Sequence, residues 1–273
     1  MRVVHSPLEL KKLLKEEQGT IGFVPTMGAL HLGHRSLIEA ARNANDLVVV
    51  SIFVNPTQFL EGEDLDAYPR REEADKKVCE LSGVDYLFYP DASEMYGEDE
   101  VSLNAPDVRG YIMEGNSRPG HFSGVLTVVN KLLNIVNPTR AYFGKKDAQQ
   151  LMLIETMVAN LFMNVEIVPM ATLREKDGLA MSSRNVYLNE QEREEALKII
   201  KSLRTATQMV MKNELCASKI REEMLSILAP LDVEYVTIVN RSFEPIEHVE
   251  IGNTIILVEA ISGTTRLLDN IWI

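Results

Sequence analysis

His31-Leu32-Gly33-His34 follows the apolar run Thr20-Ile21-Gly22-Phe23-Val24 and the turn Pro25-Thr26-Met27-Gly28. The run reads as a buried strand, and Leu37, Ile38 and Ala41 after the motif recur at helical spacing. Two imidazoles three residues apart therefore sit where a strand hands over to a helix N-terminus. Such a place offers unpaired backbone N–H groups and the positive end of a helix dipole, which suits an anion such as phosphate. Histidine donors there can offset charge on phosphorus and on a departing pyrophosphate. A helix cap or a satisfied surface group is the plainer reading of a single His. Zinc is a third reading, though the His-Glu-x-x-His spacing and a nearby third ligand are both missing.

Working outward, strand and helix patterns alternate through the first two thirds of the chain. Strands are expected at 20–24, 47–54, 84–88, 140–143 and 165–169, and helices at 7–16, 34–44, 66–82, 123–136 and 147–160. Leu47-Val48-Val49-Val50-Ser51-Ile52-Phe53-Val54 is continuously apolar, as a strand covered on both faces should be. The order predicts an α/β, doubly wound (Rossmann-like) parallel sheet, which takes ligands at the carboxyl ends of its strands. The last hundred residues read as two amphipathic helices, about 189–212 and 217–229, then strands 233–240, 254–261 and 265–272. That is a second, smaller α+β domain. The expected division is 1–173 and 174–273, with the second domain closing over the active site by way of the Asp177–Ser183 loop.

The chain has 273 residues and a net charge of −12. Residues 61–107 carry 15 acidic against 4 basic side chains, so almost all of the excess sits there. The segment reads as a solvated acidic face, and acidity opposes binding to a nucleic-acid backbone. No apolar run reaches the roughly 20 residues of a membrane span. Met1-Arg2-Val3-Val4-His5-Ser6-Pro7 lacks the apolar core of a signal peptide, so a cytoplasmic location is expected. Cys79 and Cys216 form neither a metal spacing nor a disulfide framework.

Four further clusters carry candidate chemistry, each with a plainer structural alternative. Asn55-Pro56-Thr57-Gln58 ends the second strand, either as a Pro turn or as amide donors and acceptors for a small polar ligand. Arg118, in a Gly- and Pro-rich loop before His121, is either an incidental surface charge or a clamp for carboxylate or phosphate. Gly144-Lys145-Lys146-Asp147, with Gln150 one turn on, is a phosphate or ribose clamp or an Asp-capped helix start. Met181-Ser182-Ser183-Arg184, near the domain boundary, is a phosphate grip or a polar interdomain loop.

Taken together, these blocks resemble the pantoate–β-alanine ligase family of the His-x-Gly-His nucleotidyltransferase superfamily. The resemblance spans nearly the whole chain and rests on Pro25–His34, Phe53–Phe59, Arg118–Phe122, Phe143–Asp147 with Gln150, and Met181–Asn185. It implies that pantoate is adenylated by Mg²⁺-bound ATP and that β-alanine then displaces AMP, in a cytoplasmic homodimer. It further implies that His34, His31 and Lys146 are catalytic. ATP would lie on Pro25, Thr26, Met27, Gly28, Ala29, Leu30, His31, Leu32, Gly33, His34, Gly144, Lys145, Lys146, Asp147, Leu173, Met181, Ser182, Ser183 and Arg184. Pantoate and β-alanine would meet Gln58 and Gln150, with Asn55 and Arg118 beside them. The tRNA-synthetase relatives carry Lys-Met-Ser-Lys-Ser where this chain has Ala180-Met181-Ser182-Ser183-Arg184, so Lys146 is the expected phosphate lysine. A sister nucleotidyltransferase, a class I tRNA synthetase and a non-catalytic ATP sensor are the rival readings.

Overall fold

A computed structural model describes residues 1–273. The chain divides into two units. The first comprises Met1–Lys145 and Leu153–Ala171, and the second Lys146–Met152 and Thr172–Ile273. A single cut at 173/174 thus gives way to a division in which a short segment after Lys145 groups with the later residues.

The first unit carries β1 (Arg2–Val4), α1 (Pro7–Glu16), β2 (Ile21–Thr26), α2 (Leu32–Ala44), β3 (Leu47–Ile52), α3 (Glu72–Leu81) and β4 (Tyr86–Phe88). The short helices α4 (Ala92–Met95) and α5 (Glu114–Ser117) follow, then α6 (His121–Val136), β5 (Arg140–Gly144), most of α7 (Ala148–Asn160) and β6 (Glu166–Met170). The six strands form one parallel sheet in the order β1-β4-β3-β2-β5-β6. Strand order reverses between β2 and β5, and a crevice beyond the carboxyl ends at such a reversal is where open α/β sheets bind ligands.

Both faces of this sheet are covered. Val24, Val48, Val50 and Leu87 share one face and pack with Leu37, Ile38 and Ala41 of α2. Phe23, Val49 and Ala141 point the other way and are also fully buried. Each such large apolar side chain contributes roughly 1.5–3 kcal/mol on burial. The expected helix over 66–82 starts only at Glu72. Pro69 explains the delay, since it disfavours helical backbone at Tyr68 and lacks an N–H of its own. Strand β1 escapes the sequence reading because three residues are too few to show a period.

In the second unit, α8 (Glu190–Met211) and α9 (Ala217–Leu228) pack on an antiparallel sheet of β7 (Asp232–Asn240), β8 (Thr254–Ser262) and β9 (Thr265–Trp272). Ile199, Leu203 and Ala206 of α8 meet Met224 of α9 and Val236, Ile256 and Val258 of the sheet in one core. A capping box between Asn189 and Glu192 starts α8. No helix is long and apolar enough to cross a membrane.

Candidate active site

Beyond β2 the backbone makes a bent turn. Gly28 and Ala29 take φ of +89° and +49°. The first suits glycine; the second is uncommon for a residue with a Cβ. The turn is held from two sides. Gly28 N–H donates to Thr26 Oγ1 at 3.2 Å, and Thr26 Oγ1 donates to the Ser51 carbonyl at 2.8 Å. Ala29 and Leu30 N–H donate to the two carboxylate oxygens of Asp75 at 2.8 and 2.7 Å.

Asp75 lies on the first turn of α3 and is only 2% exposed. Burial raises its pKa, and the two N–H donors partly oppose that rise. A Cβ on Gly28 would come within 3.1 Å of an Asp75 oxygen, so glycine also makes room for the brace. The acidic stretch is therefore not uniformly a solvated face, because this carboxylate is inside the molecule. Composition hides it, since it looks like its neighbours until a partner 45 residues away is known.

His31 is the N-cap of α2, which begins at Leu32 rather than at His34. His31 Nδ1 accepts from Gly33 N–H at 3.1 Å, and His31 N–H donates to His34 Nδ1 at 3.4 Å. An imidazole nitrogen that accepts cannot carry the ring proton, so both neutral rings carry theirs on Nε2. The ring centroids are 4.1 Å apart and the planes tilt by 30°. The pair is thus two neighbouring Nε2–H donors with fixed tautomers, at a helix start whose dipole favours an anion. The cap reading of these residues is what the structure shows, through the two Nδ1 atoms.

Asn55 and Gln58 bracket the helical turn Pro56–Gln58 after β3. Asn55 caps the turn by accepting from Thr57 N–H, accepts from the Tyr96 hydroxyl at 2.7 Å, and donates to Gln58 Oε1 at 3.1 Å. It is almost wholly buried, and its amide orients Gln58. Gln58 Nε2 reaches Met27 Sδ at 3.2 Å, bringing the loops after β2 and β3 together. Gly124 of α6 seats against the same turn: a Cβ there would lie 2.3 Å from the Thr57 carbonyl oxygen.

Arg118 departs from the expected clamp. Its Nε and Nη2 donate to Glu63 at 2.6 and 2.5 Å, Nη1 to Glu114 at 3.1 Å, and Nη2 also to the Gln58 carbonyl at 3.2 Å. Two carboxylates already engage a guanidinium that is 8% exposed, and its bond to the Gln58 carbonyl ties it to the Gln58 turn. Burial lowers the Arg118 pKa, but Glu63 and Glu114 outweigh it and hold it raised. Burial likewise works against ionisation of Glu63, yet Arg118 and the Leu60 N–H keep its carboxyl below the usual range. His121 Nδ1–H donates to the Gln58 carbonyl at 2.8 Å while its Nε2 accepts from Arg118. Burial, then the Arg118 charge, pushes the His121 pKa down, which keeps the ring neutral as those two bonds require.

Strand β5 ends at Gly144, and Lys145 N–H donates to the Met170 carbonyl at 2.8 Å. Lys146 follows as the first residue of the second unit. Its Nζ lies 3.2 Å from Asp147 Oδ1, and its carbonyl accepts from Asn270 Nδ2 at 2.7 Å. The Asp147 carbonyl accepts from Leu151 N–H, closing the first turn of α7. On that turn Gln149 is buried and Gln150 half-buried.

Leu173 and Met181 lie opposite each other, with Met181 N–H donating to the Leu173 carbonyl at 3.0 Å. Ser182 Oγ accepts from Arg184 N–H and caps the turn Ser183–Tyr187. Asn185 anchors that turn by donating to Glu175 at 2.7 Å and to the Ala180 carbonyl at 3.0 Å. Asn185, Asp75 and Asn270 brace the candidate residues; sequence reading placed Asn185 in the Met181–Asn185 block without a role and missed the other two, because short polar residues give no periodic signal.

A doubly wound sheet with paired imidazole donors at a helix start, next to its strand-order reversal, defines a protein that handles nucleotide phosphates. The pantoate-beta-alanine ligase model matches residues 2–272. The pantothenate synthetase of Sulfurimonas denitrificans is 63% identical over 273 residues, covering all of both chains. That of Helicobacter pylori is 48% identical over 276 residues, again with full coverage. The crystal structure of pantothenate synthetase from Thermus thermophilus superposes with a TM-score of 0.95 at 40% identity, covering 99% of each chain. Pantoate-beta-alanine ligase from Francisella tularensis, solved with beta-gamma ATP and beta-alanine, superposes with a TM-score of 0.82 at 34% identity, covering 100% of this chain and 97% of that one. The chain belongs to the pantoate–β-alanine ligase family. Its activity is that of the family, the ATP-dependent joining of pantoate to β-alanine.

Proposed function

We propose that the ligation runs through an enzyme-held pantoyl adenylate, with the residues named here in specific roles. A carboxylate does not acylate an amine at neutral pH, so it must first gain a leaving group. A pantoate carboxylate oxygen attacks the α-phosphorus of ATP, the bond to the β-phosphate oxygen breaks, and pyrophosphate leaves. The β-alanine amine then attacks the acyl carbon, AMP leaves with the acyl oxygen, and the amine loses a proton as pantothenate forms. His34 and His31 donate hydrogen bonds from Nε2 to phosphate oxygens as charge develops there, with His34 the donor toward the departing pyrophosphate. Lys146 supplies the fixed cation.

The nucleotide is assigned to the Pro25–His34 turn, to Gly144, Lys145, Lys146 and Asp147, and to Met181, Ser182, Ser183 and Arg184, with Leu173 against the adenine. Gln58 and Gln150 bind pantoate. Asn55 and Arg118 act on that substrate through Gln58. Magnesium arrives with ATP, held by phosphate oxygens and water as small hard cations commonly are. The enzyme works as a homodimer in the cytoplasm. No covalent enzyme nucleophile is needed, because orienting the reactants can itself provide effective molarities of about 10⁵ M or more.

The observation that carries this reading is the pair of backbone N–H bonds to the two Nδ1 atoms, which orients both imidazoles at the helix start. An assay with ATP, pantoate and β-alanine, omitting each in turn, tests it. Pyrophosphate release is expected to require ATP and pantoate only, and AMP release to require all three. Pyrophosphate release without pantoate, or none until β-alanine is added, overturns the adenylate route.

A further inference from the structure

We propose that Asn270 is a positioning residue for Lys146. It resides on β9, close to the carboxyl end of the chain, and is 3% exposed. The two ends of its amide do different work. Nδ2 donates to the Lys146 carbonyl at 2.7 Å, and Oδ1 accepts from the Trp272 indole N–H at 2.9 Å. An indole N–H can only donate and a carbonyl can only accept, so the two partners fix which way round the amide sits.

The backbone of Asn270 is held as well. Its N–H donates to Asp269 Oδ1 at 2.8 Å, and its carbonyl accepts from Arg174 Nη2 at 3.4 Å. Arg174 meets the Asp269 carboxylate with two bonds, at 2.6 and 3.0 Å, and also donates to the Gly178 carbonyl. Arg174 in turn pairs with Ala180, the residue before Met181. One corner of β9 therefore pins both the backbone of Lys146 and the base of the Met181–Arg184 turn.

Lysine is a point charge on a flexible four-carbon stem, so the stem's root decides where the ammonium can reach. Asn270 fixes that root without touching a substrate. This inference rests on the assignment of Lys146 to the triphosphate. Trp272 is the only tryptophan in the chain, so indole emission reports on this corner alone.

The test compares wild type, Lys146→Ala, Asn270→Asp and Asn270→Ser in the two half-reactions, with ATP and pantoate for adenylation and preformed pantoyl adenylate with β-alanine for aminolysis. Asn270→Asp keeps an acceptor for Trp272 but turns the donor facing the Lys146 carbonyl into an acceptor. Asn270→Ser shortens the side chain without adding charge and serves if the Asp variant folds poorly. Both are expected to slow adenylation by about 10–100-fold, the scale of a small misplacement of a reacting group. Aminolysis should stay within about twofold, because the pyrophosphate part of the triphosphate assigned to the lysine has already left by then. ATP should shift Trp272 emission in wild type and shift it less in Asn270→Ser.

Wild-type adenylation in both Asn270 variants, while Lys146→Ala has lost it, overturns this inference alone. Equal losses in both half-reactions reduce Asn270 to a structural residue and overturn it too. Normal adenylation in Lys146→Ala overturns the underlying assignment of the lysine.

Discussion

At the residue scale, His31 joins a structural contact to a proposed chemical one. His31 caps α2 through Nδ1, and Nε2 is the atom proposed to meet phosphate. Replacing it separates the two roles. Asparagine is a strong N-cap but lacks the imidazole donor, whereas alanine lacks both, and losing a cap costs about 1 kcal/mol. His31→Asn is therefore expected to melt close to wild type yet adenylate slowly, and His31→Ala to be both slower and less stable. Thermal melting and single-turnover adenylation on the same samples check this; an active His31→Asn protein would leave His31 as a cap only.

Gln58 yields a second prediction. It follows β3, whereas the histidines follow β2, so Gln58→Ala should raise the KM for pantoate more than that for ATP. Equal rises in steady-state kinetics would remove Gln58 from the pantoate site. The sequence showed which residues cluster at strand ends but not what holds them. Arg118 reads in sequence as either a surface charge or a clamp, because neither Glu63, 55 residues earlier, nor its burial is visible in a linear reading. Asp75 was hidden among like charges for the same reason.

At the element scale, α6 holds the Gln58 turn by its first residue and by its first interior glycine, and the first of these titrates. His121 is neutral in the fold because burial and Arg118 lower its pKa from 6.5. Between 6.5 and that lowered value the unfolded chain binds a proton that the fold does not. The stability that His121 contributes is thus complete above pH 6.5 and is lost as pH falls through the interval below it. Glu63, lowered from 4.5, adds a similar loss only in stronger acid. His121→Gln keeps a side-chain donor without the titration. Its denaturation midpoint should fall less than that of wild type between about pH 7 and about pH 5.5. Parallel slopes for the two proteins would contradict this.

The elements themselves were largely legible. Long apolar or amphipathic runs such as β3, α2 and α8 announced themselves by period and caps. Three-residue β1 did not, and the start of α3 was set by Pro69 against an otherwise helical composition.

At the scale of the whole molecule, strand order matters more than any one motif. The chain adds β3 and β4 to one side of β2, and then β5 and β6 to the other. The segments after β2 and β5 consequently leave neighbouring strands at the reversal, and those segments carry the histidines and the lysines. Alternating patterns predicted a doubly wound sheet, but they do not state which strand is central. The grouping of Lys146–Met152 with the carboxyl-terminal residues was likewise invisible, because it depends on partners such as Asn270, 124 residues on.

Exchange of labelled pyrophosphate into ATP, with pantoate present and β-alanine absent, bears most directly on the paired imidazoles. Wild type should catalyse the exchange only with pantoate, and His34→Ala should be slower by about 10²–10³-fold, the scale of losing one donor to developing charge. Exchange that is unchanged in His34→Ala, or that runs equally well without pantoate, would contradict the role assigned to the pair.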